Sequence, residues 1–193
     1  ADKFVDAGIK IKHIDLGGGF HVKYNEKDPN FRIEDVKKEL DFCFDGSDYE
    51  LSFEPGRFLI AEAGILITTI INIKQNGGIN YLIVDAGMNT LIRPAMYNSY
   101  HKIESINKKS KIQVSYAVAG PICESSDIFL KNIELPKQTI GDILVIRDVG
   151  AYGKVMSSNY NTRLLPSEVL VNKDLFGIIY SPNKIEKNIE EDI

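Results

Sequence analysis

Ser52-Phe53-Glu54-Pro55-Gly56-Arg57 is the stretch on which the interpretation of the fold depends. It completes an apolar run over residues 50–53 and then presents a carboxylate, a proline, a glycine and a guanidinium. This pattern predicts a buried strand that ends at a tight turn carrying two opposite charges. Residues 58–65 can begin a helix at that turn, and the free N–H groups at a helix start suit an anion. By themselves, the four turn residues fit a strand-ending turn with a surface salt bridge equally well.

A second stretch with a similar organisation lies upstream. Residues 9–16 predict a strand on which His13 and Asp15 share a face, and this strand ends in Gly17-Gly18-Gly19. A glycine-rich loop after a strand can aim backbone N–H groups at a phosphate. A merely flexible loop has the same composition, so the glycines alone leave both alternatives open.

The first third of the chain alternates helices with strands. Residues 2–8 predict the end of a helix, and residues 33–44 predict an amphipathic helix in which Cys43 only packs. With the two strands, this order predicts parallel pairing. We interpret residues 1–64 as part of a (β/α) barrel, since a complete barrel needs roughly 250 residues. An incomplete barrel should leave unpaired strand edges and an exposed apolar face.

Residues 65–193 are predicted to be mostly β, as a barrel or a sandwich. β-branched segments predict strands at 65–74, 79–84, 111–118, 141–146 and 168–171, with a further strand near Val155. Asn76-Gly77-Gly78 predicts a hairpin turn between the first two. The charged residues 183–193 predict a solvated helix or a frayed tail. The predicted fold class is therefore α/β followed by an all-β domain.

The composition excludes several classes of function. The chain has 193 residues, 44% of them hydrophobic and 26% charged, which is typical of globular proteins. Its net charge of −4 offers no basic field for nucleic acid or an anionic membrane. The longest apolar run, 58–73, is too short and too polar to span a bilayer.

The cysteines and the start of the chain give further expectations. The two cysteines have neither a disulfide framework nor metal-binding spacing, which favours a cytoplasmic protein. No charged-then-apolar leader opens the chain, so no secretion signal is expected. The chain begins without Met on a helical segment, and we expect further residues before it.

Six stretches together resemble the diaminopimelate decarboxylase family. They are His13-Ile14-Asp15-Leu16-Gly17-Gly18-Gly19-Phe20, Glu54-Pro55-Gly56-Arg57, Asp85-Ala86-Gly87-Met88-Asn89, Arg93-Pro94-Ala95-Met96-Tyr97, Gly120-Pro121-Ile122-Cys123-Glu124-Ser125-Ser126-Asp127 and Gly150-Ala151-Tyr152. They occur in the family's order and extend over nearly the whole chain. The resemblance implies an alanine-racemase-type barrel, of which residues 1–64 are the C-terminal part, followed by the β domain.

One departure from the family pattern concerns the lysine that binds the cofactor. Family members hold pyridoxal phosphate through a lysine far upstream of the glycine loop, and no position of this chain matches it. Lys10 and Lys12 precede the loop without the family context. The resemblance thus implies the C-terminal half of the enzyme, which alone would be inactive because it lacks the Schiff-base lysine.

The resemblance implies a set of residues that bind pyridoxal 5'-phosphate. Glu54 would hold the proton on the ring nitrogen, which favours electron acceptance by the ring. The glycine loop and the turn at Arg57 would hold the phosphate, and Tyr152 would bond or stack near the cofactor. The complete cofactor-binding set is Gly17, Gly18, Gly19, Glu54, Pro55, Gly56, Arg57 and Tyr152.

The implied substrate is meso-2,6-diaminopimelate, which has an amino-acid group at each end. Its distal end needs an anion for the ammonium, which is Glu124, and a cation for the carboxylate, which is Arg93 with Tyr97. A planar guanidinium pairs with a carboxylate through two parallel hydrogen bonds. A surface arginine before a proline turn is the alternative for Arg93. The complete substrate-binding set is Arg57, Arg93, Tyr97, Glu124 and Tyr152.

Cys123 is the candidate catalytic residue. A thiol can donate a proton to the carbanion at neutral pH, while a small buried hydrophobe is the alternative for a free cysteine. In the family, the positions of Cys123 and Glu124 reach the cofactor of the neighbouring subunit. The resemblance therefore implies a homodimer with shared active sites.

Two other functions remain open from the sequence. One is decarboxylation of ornithine or arginine, although those enzymes usually carry Asp at the position of Glu124. The other is a non-catalytic homologue or accessory subunit, which the unmatched lysine favours. The chain retains a set of site residues that a scaffold would not need, which argues against this function: Glu54, Arg57, Arg93, Cys123, Glu124 and Tyr152.

Overall fold

The computed structural model describes residues 1–107 and 110–182. The predicted tail at 183–193 lies outside these described residues. The helices are α1 (Asp2–Asp6), α2 (Ile33–Cys43), α3 (Gly56–Ile60) and α4 (Arg93–Tyr97). The strands are β1 (His13–Asp15), β2 (Glu50–Ser52), β3 (Leu66–Asn76), β4 (Ile79–Val84), β5 (Ile103–Ser105), β6 (Gln113–Ala119), β7 (Ile128–Pro136), β8 (Ile143–Ile146), β9 (Glu168–Asn172) and β10 (Leu175–Tyr180). Short 3-10 helices cover Ala61–Ala63, Lys154–Met156 and Tyr160–Thr162.

The N-terminal part has the predicted α/β organisation. β1 and β2 pair in parallel, with His13 opposite Glu50, which confirms the predicted strand direction. Leu16 N–H donates to the Ser52 carbonyl at 3.0 Å, so the pairing continues to the point where the glycine loop begins. Because the strands are parallel, their carboxyl ends lie at one edge and both motif turns start there.

A mixed six-stranded sheet forms the second part, in the order β5-β8-β3-β4-β6-β7. Adjacent strands are antiparallel except for β4 and β6, which are parallel. Ile70, Leu82 and Val84 of β3 and β4 and Leu144 and Ile146 of β8 are fully buried in one core. The predicted β-rich half is thus confirmed.

The turn between β3 and β4 lies where the sequence predicts it. Gly77 and Gly78 have φ of +56° and +79°. Two consecutive left-handed residues are the requirement of a type I′ hairpin turn, which glycine meets without strain.

Three predictions about individual elements are wrong. The segment around Val155 is a 3-10 helix rather than a strand, and Val155 is 78% exposed. Three strands, β5, β7 and β10, were not predicted. Cys43 is exposed instead of packed, because no residue of α2 is buried.

The unpacked face of α2 borders an apolar groove of about 530 Å³. Ile33, Val36 and Leu40 line it from the helix, opposite Phe53 and Leu59. Leu59 is 70% exposed. An exposed apolar face of this kind is what an incomplete barrel predicts.

The α/β part contacts the sheet through backbone hydrogen bonds. Gly64 accepts a bond from Val149 N–H at 3.0 Å, and Gly150 N–H donates to the Ala61 carbonyl at 2.9 Å. Ala61, Val22 and Ala151 form a small buried cluster beside them. These contacts hold the 149–152 loop next to the motif turns.

Candidate functional site

A cavity of about 370 Å³ lies at the edge where β1 and β2 end. The two motif turns, the start of α3 and the 149–152 loop all contribute to its wall. The lining residues are Gly18, Gly19, Phe20, Glu54, Pro55, Arg57, Phe58 and Tyr152. Residues more than 130 positions apart in the chain therefore meet at one site.

The glycine loop is fixed against the second turn. Gly17 N–H donates to Asp15 Oδ1 at 2.7 Å, and the Gly17 carbonyl accepts from Glu54 N–H at 2.7 Å. A Cβ at Gly18 would lie 2.5 Å from the Glu54 carbonyl oxygen, so only glycine permits this approach. The loop is thus a close-packed backbone cradle and not merely a flexible connection.

Glu54 and Arg57 both face the cavity and do not pair with each other. Within residues 1–107 and 110–182, the Glu54 carboxylate forms no hydrogen bond or ion pair. The alternative of a turn held by a salt bridge between these two residues is therefore wrong. Gly56 lies at the start of α3, and its N–H donates to the Glu54 carbonyl at 2.9 Å.

Arg93 is buried at the start of α4, with 6% of its surface exposed. Its Nη1 donates to the Tyr24 hydroxyl at 2.9 Å and lies 3.3 Å from His101 Nε2. Its Cζ is 6.0 Å from the ring centre of Tyr152, which lines the cavity. The alternative of a surface arginine is wrong, and no carboxylate pairs with Arg93 in the part of the chain that is described.

Tyr97 lies at the other end of α4 and is 60% exposed. It does not line the cavity. The single chain therefore brings Arg93 close to the candidate site but leaves Tyr97 on the surface.

Cys123 and Glu124 are exposed and do not line the cavity either. The Glu124 carboxylate accepts bonds from the Ser126 N–H at 3.3 Å and the Ser125 hydroxyl at 3.2 Å. These hydrogen bonds lower the pKa of Glu124, and the bond from the Ser126 backbone N–H has the largest effect. The exposure of Cys123 does not fit the alternative of a small buried hydrophobe.

The loop that carries Cys123 and Glu124 is fastened at its base by Asp127, which is 3% exposed. Its carboxylate accepts from the backbone N–H groups of Met88 at 2.6 Å and Ile122 at 2.7 Å. Burial raises the pKa of Asp127, while the bonds from Ile122 and Met88 oppose this effect. Two of the motif stretches are thus tied together by one buried carboxylate.

Four residues near the site were not singled out from the sequence. Phe20 and Phe58 line the cavity, and Tyr24 and His101 hold Arg93. Phe20 directly follows the glycine loop, and Phe58 directly follows the turn that ends at Arg57. Their positions in the sequence could therefore have indicated that they line the site. Tyr24 and His101 gave no such signal.

Metal-binding clusters and membrane-spanning helices are both absent from the part of the chain that is described. Over residues 1–107 and 110–182, no group of three or more His, Cys, Asp or Glu side chains could hold a metal ion. Among these same residues, no helix has the length and apolarity that crossing a membrane requires.

Comparison with known sequences identifies the relatives of this chain. Diaminopimelate decarboxylase of Pseudomonas fluorescens is 43% identical over 173 residues, which is 90% of this chain and 41% of that protein. The enzyme of the same name from Buchnera aphidicola of Schizaphis graminum is 40% identical and aligns with 98% of this chain and 51% of its own length. The chain spans about half the length of the curated relatives it matches.

Solved structures agree with the sequence comparison. Diaminopimelate decarboxylase of Helicobacter pylori, complexed with L-lysine, matches 99% of this chain and 48% of its own with a TM-score of 0.88 and 36% identity. A lysine/ornithine decarboxylase of Vibrio vulnificus matches with a TM-score of 0.72 at 24% identity, a likeness of fold alone.

The family model described as the C-terminal sheet domain of pyridoxal-dependent decarboxylases matches residues 14–150. This range contains the glycine loop, the turn at Glu54 and Arg93, which are three features of the candidate site. The chain therefore belongs to the pyridoxal-dependent decarboxylase family.

Proposed function

We propose that this chain supplies the C-terminal part of a pyridoxal-phosphate-dependent carboxy-lyase that converts meso-2,6-diaminopimelate to L-lysine, the last step of lysine biosynthesis. The observation that carries the proposal is the cavity at the ends of β1 and β2. It combines a glycine cradle with a carboxylate that is unpaired within residues 1–107 and 110–182. It lies beside a buried arginine that has no carboxylate partner among those same residues. The names of the relatives support the same activity.

The residues of the cavity fit pyridoxal phosphate. The close-packed cradle at Gly18 and the guanidinium of Arg57 would hold the phosphate, since both offer N–H donors in one wall. The free carboxylate of Glu54 would hold a proton on the ring nitrogen. When bound, the cofactor accepts the electron pair that loss of carbon dioxide leaves at Cα. Tyr152 faces the same space and would fix the ring's position.

Arg93 would select the distal carboxylate of the substrate. Among the described residues, the buried guanidinium has neutral partners and no carboxylate, so its charge is uncompensated there. A carboxylate supplied by the substrate would complete an ion pair. Ornithine has no distal carboxylate and would leave Arg93 unpaired at a cost of several kcal/mol. Tyr97 would join Arg93 only after a change of position or through a second chain.

Cys123 and Glu124 would complete the site of a neighbouring copy. Both are exposed on a loop that does not line the cavity of their own chain. We therefore propose a homodimer in which Cys123 protonates Cα and Glu124 accepts the distal ammonium. The same proposal places the enzyme in the cytoplasm, in keeping with its two free thiols.

Kinetics of the holoenzyme would test this function; the holoenzyme is the full-length protein that contains this chain with pyridoxal phosphate bound. Arg93→Met should lower kcat/KM for meso-diaminopimelate. The corresponding loss of transition-state binding free energy should be on the order of 2–4 kcal/mol. The substitution should affect ornithine and lysine much less, because neither has a distal carboxylate. Arg32→Met, at an exposed ion pair with Glu34, is the matched control.

Three results would contradict the proposal. Equal slowing of all substrates by Arg93→Met would make Arg93 structural. A higher kcat/KM for ornithine or arginine than for meso-diaminopimelate would favour the other decarboxylases. Absence of carbon dioxide release from every amino acid tested would favour a non-catalytic homologue.

A further inference from the structure

The guanidinium of Arg93 is held by two uncharged side chains. Nη1 donates to the Tyr24 hydroxyl at 2.9 Å and faces His101 Nε2 at 3.3 Å. The rings of Tyr24 and His101 are themselves in edge-to-face contact, with centres 5.3 Å apart. The three side chains thus form a closed cluster, and 69 positions separate Tyr24 from Arg93 in the chain.

The backbone determines which nitrogen of His101 carries the proton. His101 Nδ1 lies 3.0 Å from the carbonyl oxygen of Arg147, and a carbonyl can only accept. Nδ1 must therefore carry the hydrogen, and Nε2 of the neutral ring is left as an acceptor. That acceptor faces the N–H of Arg93, so the ring orientation and the arginine orientation depend on each other.

The surroundings of His101 keep its ring neutral. His101 is 2% exposed, and burial lowers its pKa. The bond to the Arg147 carbonyl opposes this effect, and the charge of Arg93 adds to it. The ring lies against the side chains of Arg93 and Tyr24, neither of which is a carboxylate.

Two neutral partners have a consequence that a carboxylate partner would not have. They satisfy N–H donors of Arg93 and fix its direction, but they do not compensate its charge. A buried cation without a counter-ion is costly, and a ligand carboxylate removes that cost. Arg93 lies 6.0 Å from the Tyr152 ring at the cavity wall, so the charge is available at that side.

We propose that His101 and Tyr24 are positioning residues that aim Arg93 at the distal carboxylate of the substrate while leaving its charge free. This inference rests on the proposed function of Arg93 and deepens it. Preference for a substrate with two carboxylates then depends on a neutral histidine that does not touch the substrate. Protonation of His101 would place a second cation against Arg93 and remove its acceptor.

The test compares His101→Leu, which removes the acceptor, with His101→Gln, which keeps an accepting oxygen but cannot titrate. In the holoenzyme, His101→Leu should raise KM for meso-diaminopimelate about tenfold while kcat changes little, because a misaimed arginine weakens binding. Its kinetics on ornithine should not change. The parent enzyme should show a rise in KM for meso-diaminopimelate as the pH falls and His101 is protonated. His101→Gln should keep most of the preference and should lose this rise.

If His101→Leu fails to fold, Tyr24→Phe allows the same comparison of meso-diaminopimelate with ornithine. This variant removes only the hydroxyl that accepts a hydrogen bond from Arg93. Glu104→Gln is the control, since Glu104 pairs with the exposed side chain of Arg147 at 2.6 Å and does not contact Arg93. It should leave the ratio of kcat/KM for the two substrates unchanged.

Equal changes on meso-diaminopimelate and ornithine in the His101 and Tyr24 variants would overturn the inference. So would an acid-side rise in KM that persists in His101→Gln. If Arg93→Met also slows both substrates equally, the proposed function of Arg93 fails as well. If Arg93→Met discriminates between the substrates and the His101 and Tyr24 variants do not, the inference alone fails. Should meso-diaminopimelate prove not to be a substrate, calorimetry with pimelate and hexanoate provides the comparison, and a preference for pimelate unchanged in His101→Leu would overturn the inference.

Discussion

Replacement of Gly18 by alanine should open the candidate cofactor site. The new Cβ would lie 2.5 Å from the Glu54 carbonyl oxygen, and ordinary van der Waals contact begins at 3.4 Å. The two turns must therefore separate by about 0.9 Å. The backbone of Gly18 is outside the left-handed region, so alanine tolerates the conformation and the close approach alone is tested.

The expected cost has two parts. Relieving a clash in a packed region costs about 1–3 kcal/mol. Separation of the turns also lengthens the 2.7 Å bond from Glu54 N–H to the Gly17 carbonyl, worth about 1 kcal/mol. Together these give a loss of roughly 2–4 kcal/mol in the free energy of unfolding. Because Glu54 moves with its turn, we also expect the affinity for pyridoxal phosphate to fall roughly tenfold or more, since 1.4 kcal/mol is a factor of ten.

Denaturant unfolding of the full-length protein, and titration of its cofactor-free form with pyridoxal phosphate, would measure both effects. Gly177→Ala on β10 is the control, since its Cβ would meet nothing within 4 Å. If Gly18→Ala matched this control in unfolding midpoint and cofactor affinity, the two turns would not be in contact and the cradle would not exist as described.

Three further predictions concern stability. Thr68→Val should lower the free energy of unfolding, measured with denaturant, by about 1–3 kcal/mol, because the buried Thr68 hydroxyl accepts a hydrogen bond from a buried backbone N–H. Thr139→Val on the surface is the control and should lower it less. Glu104→Gln should change the free energy of unfolding by at most about 1 kcal/mol, and less at high salt, because its pair with Arg147 is partly exposed. Burial lowers the pKa of His101 below its ordinary value of about 6.5. The contribution of neutral His101 to the free energy of unfolding is therefore complete above about pH 6.5 and is lost as the pH falls below it. Thermal unfolding measured over a pH series should show a smaller loss of stability at acidic pH in His101→Gln than in the parent protein.

The strands that the sequence predicts correctly are those with a strong local pattern. β3 and β4 are β-branched segments joined by two glycines, and the structure places β4 at Ile79–Val84 as predicted. β5 has only three residues, which is too short for an alternating pattern to be recognised. Val155 lies in a 3-10 helix and not in the predicted strand, and its exposure shows that no buried face supports a strand there.

The same division applies to the candidate site. Gly18 and Glu54 meet because parallel strands end at a common edge, which the order of elements already implies. The partners of Arg93 depend instead on tertiary contacts between Tyr24, α4 and the backbone after β8. No local pattern encodes such contacts, and for this reason the sequence identified Arg93 as a candidate but not the residues that aim it.

The positions of Cys123 and Glu124 relative to the cavity depend on how their loop is held, which sequence resemblance does not show. Its base is fixed by the buried carboxylate of Asp127, and Glu124 is further held by bonds from the two following serines. A loop that only had to fold back onto its own cavity would have no need of a fastened base and an ionised, exposed tip. An ordered loop that presents a thiol and a carboxylate to the outside is instead what a site on another chain requires, because the groups must already be in place when the surfaces meet. The combination of a fastened base and an exposed tip thus supports the proposed shared site.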